Sequence, residues 1–319
     1  MGLIALCASA RAAEGTEEGT FSVLFENDIF FNTDHDYTNG VELAYTTAPQ
    51  DTPQWAVRAA NWLPFFTAQT DVRTRYAIGQ NIYTPSDLNT ANPPPTARPY
   101  AGFLYGAFGL VGDSGTHLDQ LQVMLGVVGP DSLAEESQRW IHGIIHDRKP
   151  LGWSTQLHNE PGLIVQYERS IKLIPPRSVL GLIFDAEPHY GLAVGNVYDY
   201  VNAGAMARFG FNLPADYGPM RIEPSLPGSN FFEPNGTLSA YVFAGVDGRA
   251  VARNLFLDGN TFESSRSVQK MNLVGDVVFG AAITFNKVRI AFTHVVRSRE
   301  YKTQTQQDRF GAIDLSFRF

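Results

Sequence analysis

The sequence predicts an all-β protein: a transmembrane antiparallel β-barrel of about twelve strands, with a short helix in one long external loop. Three observations predict it. Charged residues make up only 18% of the 319 positions, against roughly 25% in soluble domains. Aromatics and glycine are plentiful, with Phe 22, Tyr 13, Trp 4 and Gly 29. Apolar residues recur with a period of two, and no run approaches the ~20 apolar residues of a membrane-spanning helix. Mean hydropathy is −0.13, as expected when each strand averages a lipid-facing and a lumen-facing side. A soluble β-sandwich shares this composition, so the choice between the two rests on pattern and motifs.

Residues 1–13 read as the remnant of a secretory signal: an apolar stretch from Leu3 to Cys7, then small residues in an A-x-A pattern ending at Ala10 or Ala12. Cys7 is the single cysteine, so removal of this segment leaves no thiol for catalysis or disulfides. The remainder, 14–319, reads as one barrel domain. Strands are expected at about 20–29, 37–47, 73–83, 100–111, 119–128, 160–172, 178–191, 197–212, 236–253, 271–286, 287–299 and 308–319. Tight links are expected at Asn286-Lys287 and Pro175-Pro176. Long loops are expected at 48–72, 84–99, 129–159, 213–235 and 254–270, an asymmetry that matches short periplasmic turns and longer external loops.

The last strand carries the clearest alternation. Ile313, Leu315, Phe317 and Phe319 share one face, and Ala312, Asp314, Ser316 and Arg318 the other. Ending on an aromatic residue, it resembles the assembly signal of bacterial outer-membrane barrels, which makes the barrel-assembly machinery an expected partner through Phe319. Just upstream, Val288, Ile290, Phe292 and Val296 oppose Lys287, Arg289, Thr293 and Arg297. Within the 129–159 loop the spacing changes to that of a helix over Ala134–Asp147. Ser132 and Glu135 form a capping-box signature at its start. Gln138 and His142 share one face, and Trp140, Ile141, Ile144 and Ile145 supply an apolar one.

Lys+Arg 24 against Asp+Glu 32 gives a net charge of −8, which excludes a nucleic-acid binder working through a large basic face. Four patches concentrate chemistry instead: Glu26-Asn27-Asp28, the run Thr33 to Gly40, Tyr83-Thr84-Pro85-Ser86 with Arg98-Pro99-Tyr100-Ala101-Gly102, and the loop helix. Each alone also reads as turn formers, a rigid loop or a structural histidine. There is no G-x-S-x-G elbow, no H-E-x-x-H and no Cys/His zinc cluster.

Together, the order F-E-N-D-x-F, D-x-x-Y-T-N-G, Y-T-P-S, R-P-Y-A-G, G-V-V-G-P, Q-x-x-x-H-x-x-I and G-W across 21–160 resembles the lipid A 3′-O-deacylase family of Gram-negative outer membranes. That resemblance implies a twelve-stranded barrel with a metal-dependent hydrolase site between the wall and a loop helix, facing the outer leaflet. It carries over Asn27, Thr38, Gln138 and His142 as catalytic residues and Asp28 as a metal ligand. Two departures stand out. A Lys-Arg pair after the Y-x-P-S motif is replaced by Thr90-Ala91, and an acid expected six residues after the helix histidine falls on Arg148. Asp147 and Glu160 are the candidate replacements for that acid, as metal ligands. Arg98 and Arg148 are the candidate cations for the anionic head group. The implied chemistry is ester hydrolysis, with His142 taking a proton from water, Gln138 or a nearby acid orienting the imidazole, and Ca2+ as cofactor. Lipid A, or lipopolysaccharide, and the outer-membrane bilayer are the expected partners. The rival readings are a porin or receptor barrel without catalysis, and an outer-membrane phospholipase acting on another acylated lipid.

Overall fold

The computed structural model describes residues 17–28, 36–66, 70–145, 149–220 and 228–319. The expected signal segment, Asp147 and Arg148 lie outside the described residues. Thirteen strands form one antiparallel sheet: β1 (Thr20–Asn27), β2 (Asp36–Thr46), β3 (Asp71–Thr84), β4 (Ala101–Asp113), β5 (His117–Val128), β6 (Glu160–Ile171), β7 (Ile174–Val179), β8 (Leu182–Gly195), β9 (Tyr198–Phe211), β10 (Leu238–Asn254), β11 (Leu273–Phe285), β12 (Val288–Arg297) and β13 (Asp308–Arg318). Sequence neighbours pair in turn except β6 and β7, β1 pairs with β13, and β6 pairs with β8. Twelve strands therefore close a ring, and β7 merely extends the β8 hairpin beyond it. Closure pairs each of the twelve ring strands on both sides, which leaves β7 alone with an open edge among the described residues.

The alternation read from the sequence becomes a wall turned inside out. On β12, Ile290 and Phe292 are exposed while Arg289, Thr293 and Arg297 are buried; on β13, Ile313 and Phe317 face out and Asp314 and Ser316 face in. A soluble sandwich would bury the first set and solvate the second. Here the outer surface is apolar and the charges sit in the lumen, where they pair. Arg208 donates to Asp185 at 2.6 Å and to Asp216, and Arg289 donates to Asp216 at 3.0 Å and Asp314 at 2.9 Å. Arg297 and Arg249 share Asp276, and His189 meets Asp247 at 3.1 Å. Buried ions need such partners, because an unpaired one costs several kcal/mol.

Both ends of the lumen are filled. Of the residues between β9 and β10, Asp216 lies between the two arginines, the Tyr217 hydroxyl donates to Asp113 at 3.0 Å and Gln120 donates to Gly228 O at 3.0 Å. At the opposite end a short helix after β10, Leu255–Asp258, is capped by Asn254, which accepts from the Phe256 N–H at 3.1 Å. It drives Phe256 against Tyr83, with ring centroids 4.1 Å apart.

Two expectations need correcting. Pro175 and Pro176 lie inside β7, at the register shift between Ile174 and Arg177, where missing N–H groups are tolerated. The tight turn is instead at Leu180-Gly181, with φ of 54° and 84°. Nor do all long loops share one end. The 47–70 and 212–237 connections lie with the chain termini, on the same side as the tight turns at 114–116, 180–181 and 286–287. The first holds a helix that was not expected, α1 (Gln54–Trp62), which ends just before Leu63-Pro64.

Candidate active site

At the end away from the termini, register decides which residues share a face. Asn27 lies opposite Asn39, Asn39 opposite Ile82, and Ile82 opposite Gly102. Directly opposed residues point to the same side. The neighbouring row, Glu26, Gly40, Asn81 and Phe103, faces the lumen, where Phe103 joins the aromatic cluster around Phe256. Asn27, Asn39, Ile82 and Gly102 therefore belong to the outer face, yet all three side chains are buried: Asn27 is 7%, Asn39 3% and Ile82 0% exposed. Something covers the wall here.

Over β3 and β4 the cover is the loop helix, α2 (Ala134–Ile145). It begins one residue after Leu133, which adopts a left-handed φ of 59°. The expected capping box is therefore not formed. Ser132 precedes Leu133 and donates its hydroxyl to Gly129 O at 2.6 Å, while Glu135 pairs with Arg139 at 2.6 Å. The Gln80 amide reaches from the wall to Ser132 O at 2.6 Å and fixes the helix start. Gly102 makes the seat possible, because a Cβ there would stand 2.1 Å from Ser132 Oγ and 2.2 Å from the Ala134 Cβ. Ile82, Leu88, Tyr100, Ala134 and Trp153 pack into one apolar cluster beneath the helix.

Ala134, Gln138 and His142, each four residues apart, form the buried face of α2, with Gln138 2% and His142 5% exposed. Trp140 and Ile144 point outward, 70% and 56% exposed. The expected apolar face thus exists, but it faces the surroundings and the polar face packs on the wall. The Gln138 Oε1 accepts from the Trp153 indole N–H at 2.8 Å, which leaves its Nε2 buried with no hydrogen-bond partner among the described residues. An orienting bond from Gln138 to the imidazole is therefore not made. Gln138 offers a fixed, unused donor instead.

Thr38 is the extra residue of a bulge between Tyr37 and Asn39. The bulge lets Tyr37 turn into the lumen against Phe310, at 5.0 Å between ring centroids, while the Thr38 hydroxyl bonds the Thr84 hydroxyl at 2.6 Å. Asn39 donates to Glu26 O at 3.2 Å, locking β2 to the end of β1, where Asp28 is buried at 2% exposure. Asn27, Asp28 and Thr38 thus converge on the wall end from adjacent strands. In the 85–100 loop nearby, hydrogen bonds from the Thr90 hydroxyl and the Asn89 N–H hold the Asp87 carboxyl below the usual range.

Two of the candidate residues are committed elsewhere. Glu160 accepts from Asn196, Asn260, Thr261 Oγ1 and the Thr261 N–H, at 3.0, 2.9, 2.8 and 2.7 Å. Its oxygens tie two loops together. Arg98 has no exposed side-chain surface, donates to Glu300 at 3.3 Å and lies over the Tyr83 ring at 5.0 Å. It is part of the wall's interior rather than a solvent-facing cation. Sequence reasoning did not single out Trp153, Thr84 and Asn39 as site residues, although each lies inside a motif; only their contacts reveal what they hold. Among the described residues no group of three or more His, Cys, Asp or Glu stands together.

Comparison with known proteins extends over the whole chain. The model of the family described as outer membrane protein LpxR matches residues 1–319. No curated protein sequence matches. Among solved structures, LpxR from Salmonella typhimurium superposes with a TM-score of 0.77 at 22% identity, covering 94% of this chain and all of that one. The β domain of the Bordetella autotransporter BrkA reaches only 0.45 at 8% identity, covering 96% of this chain and 99% of that one. A filled antiparallel barrel and a whole-length family match lead to one assignment: the chain belongs to the outer membrane protein LpxR family and is an outer-membrane β-barrel.

Proposed function

We propose that this barrel is a lipid A deacylase that hydrolyses the ester holding the 3′-acyloxyacyl group of lipid A in the outer leaflet. The observation that carries the reading is the buried polar face of α2, Gln138 and His142, turned toward the outer wall where β3 and β4 seat the helix. A helix that only covered a barrel would bury its apolar side. The site also opens onto the lipid-facing wall, where Leu43, Tyr76 and Ile78 on β2 and β3 are exposed beside it. Acyl chains of a membrane lipid fit that surface. A pore reading finds no support in a lumen filled by charge networks and by aromatic side chains at the mouth.

In this reading His142 removes a proton from the attacking water, contributing about 10²–10⁴-fold as general base. The carbonyl oxygen becomes an oxyanion, and the Gln138 N–H, without a partner among the described residues, donates to it, worth about 10²–10³-fold. The protonated His142 then returns its proton to the sugar oxygen as the ester bond breaks, leaving a free 3-hydroxyl and the released acid. Trp153 keeps the Gln138 amide from rotating. Asn27, Asp28 and Thr38 offer a carboxylate, an amide and a hydroxyl, all oxygen donors without a thiol or second imidazole. That set suits a hard cation such as Ca2+, which when bound supplies Lewis-acid polarisation of the ester carbonyl. Asp28 would be its charged ligand.

The test is incubation of the purified barrel with lipid A and, separately, with phospholipid, each with calcium or a chelator. The proposal expects calcium-dependent loss of one acyloxyacyl group from lipid A alone. Phospholipid cleavage would reassign the substrate, and conductance without lipid release would restore the pore.

A further inference from the structure

A cleft opens at the side of α2, lined by Pro130, Glu135, Trp153, Gln156, His158 and Arg266. Three features make it a polar binding site rather than an acyl groove. The Arg266 guanidinium is held in place by donating to Pro93 O at 2.8 Å and to the Asn92 side chain. Both partners are neutral, and among the described residues no carboxylate pairs with it, so its charge is uncompensated. Glu135, the acid on the same cleft, is already paired with Arg139 at 2.6 Å. Finally, the Gln156 Oε1 is buried with no hydrogen-bond partner among the described residues, so a ligand hydroxyl or amide has an acceptor waiting.

The cleft adjoins the catalytic helix through Trp153, whose indole holds Gln138. Glu135 and His142 are separated by seven helical residues, about 10 Å along the axis at 1.5 Å per residue. That is the reach of one sugar unit with its substituents. The 85–100 loop that Arg266 grips has one cation of its own, Arg98, and that one is buried against Glu300. A guanidinium fixed in a fork and lacking an acid suits a phosphoryl oxygen pair.

We propose that Arg266 forms the subsite that recognises a phosphoryl group on the substrate's sugar head group, with Gln156 Oε1 accepting from a neighbouring hydroxyl or amide of that sugar. This rests on the lipid-deacylase reading, and the experiment separates the two. Steady-state deacylation is compared on phosphorylated lipid A and on the same lipid with its phosphates removed, using wild type, Arg266→Gln and Arg266→Lys. Inorganic phosphate is added as a competitor.

The expected result is a 10- to 100-fold preference of wild type for the phosphorylated lipid, expressed mainly in KM, with inhibition by phosphate. Arg266→Gln should lose that preference by raising KM on the phosphorylated substrate alone, and Arg266→Lys, which keeps the charge and loses the fork, should recover only part of it. Wild type active on both lipids without preference, or Arg266→Gln lowering kcat equally on both, overturns the subsite and leaves the deacylase reading standing. Wild type inactive on both lipids overturns the deacylase reading itself.

Discussion

Two helices clasp the outside of this barrel, and they bury opposite kinds of surface. α1 sits at the terminal end and turns Ala56 and Ala60 inward onto Val72, Leu110 and Phe66. α2 sits at the other end and turns Gln138 and His142 inward. Both rest on glycines of β4: a Cβ at Gly112 would stand 2.6 Å from Phe66, as one at Gly102 would crowd Ser132 and Ala134. These glycines share a face and are ten residues apart, about 33 Å along the strand. With the strand tilt usual in such barrels, that separation brackets an apolar band about 25 Å tall. Both helices also expose tryptophan outward, Trp62 at 89% and Trp140 at 70%, as residues at a membrane interface do. What lies beneath differs: apolar packing alone under α1, and under α2 an apolar seat around Ala134 continued by the buried polar side chains of Gln138 and His142. The first arrangement only secures a loop, and the second buries an imidazole and an amide N–H that has no partner among the described residues.

The comparison can be broken most severely at His142. His142→Ala should lower the deacylation rate at least 10²-fold, as removal of a general base does, with heat-modifiable barrel migration on gels unchanged. Next, Gln138→Glu keeps an acceptor for Trp153 but removes the free N–H; a loss of about 10²-fold in kcat is expected. Equal activity in that variant would remove Gln138 from the chemistry.

A matched pair at the two seats follows. Gly102→Ala drives a methyl into Ser132 and Ala134 and should suppress turnover by displacing α2. Gly112→Ala strains the α1 loop by about 1–3 kcal/mol and should lower thermal stability with activity retained. Loss of activity in both would erase the distinction between the ends. The smallest effects belong to the outward tryptophans. Trp62→Ser and Trp140→Ser should each reduce quenching of protein fluorescence by brominated lipid, with only a few-fold change in rate, larger for Trp140.

The ring of strands was legible in the sequence because period-two alternation with apolar residues outward is local information, as in Ile290, Phe292, Ile313 and Phe317. α1 was not, since Pro53 and Leu63-Pro64 bracket a nine-residue helix whose anchoring depends on Gly112 and Phe66, far apart in the chain. The Pro175-Pro176 turn misled for the same reason: a proline pair tolerated at a register shift looks like a break when its partner strand is unseen. Within the site, Gln138 and His142 were visible by helical spacing. Their direction was not, because the sequence shows Trp140 and Ile144 as an apolar face without saying that lipid, and not protein, lies against it. The roles of Arg98 and Glu160 depended on Glu300 and on Asn260 and Thr261, contacts a hundred or more residues distant, which no spacing rule supplies.

The central claim is that the polar face of α2 and the outer wall form a lipid-hydrolysing site. Mass spectrometry of lipid A from cells expressing wild type or His142→Ala, with both barrels verified as folded in the outer membrane, tests it most directly. The account predicts lipid A lacking its 3′-acyloxyacyl group in the wild-type cells and intact lipid A in the variant. Intact lipid A in both, or the same shortened lipid A in both, would contradict it.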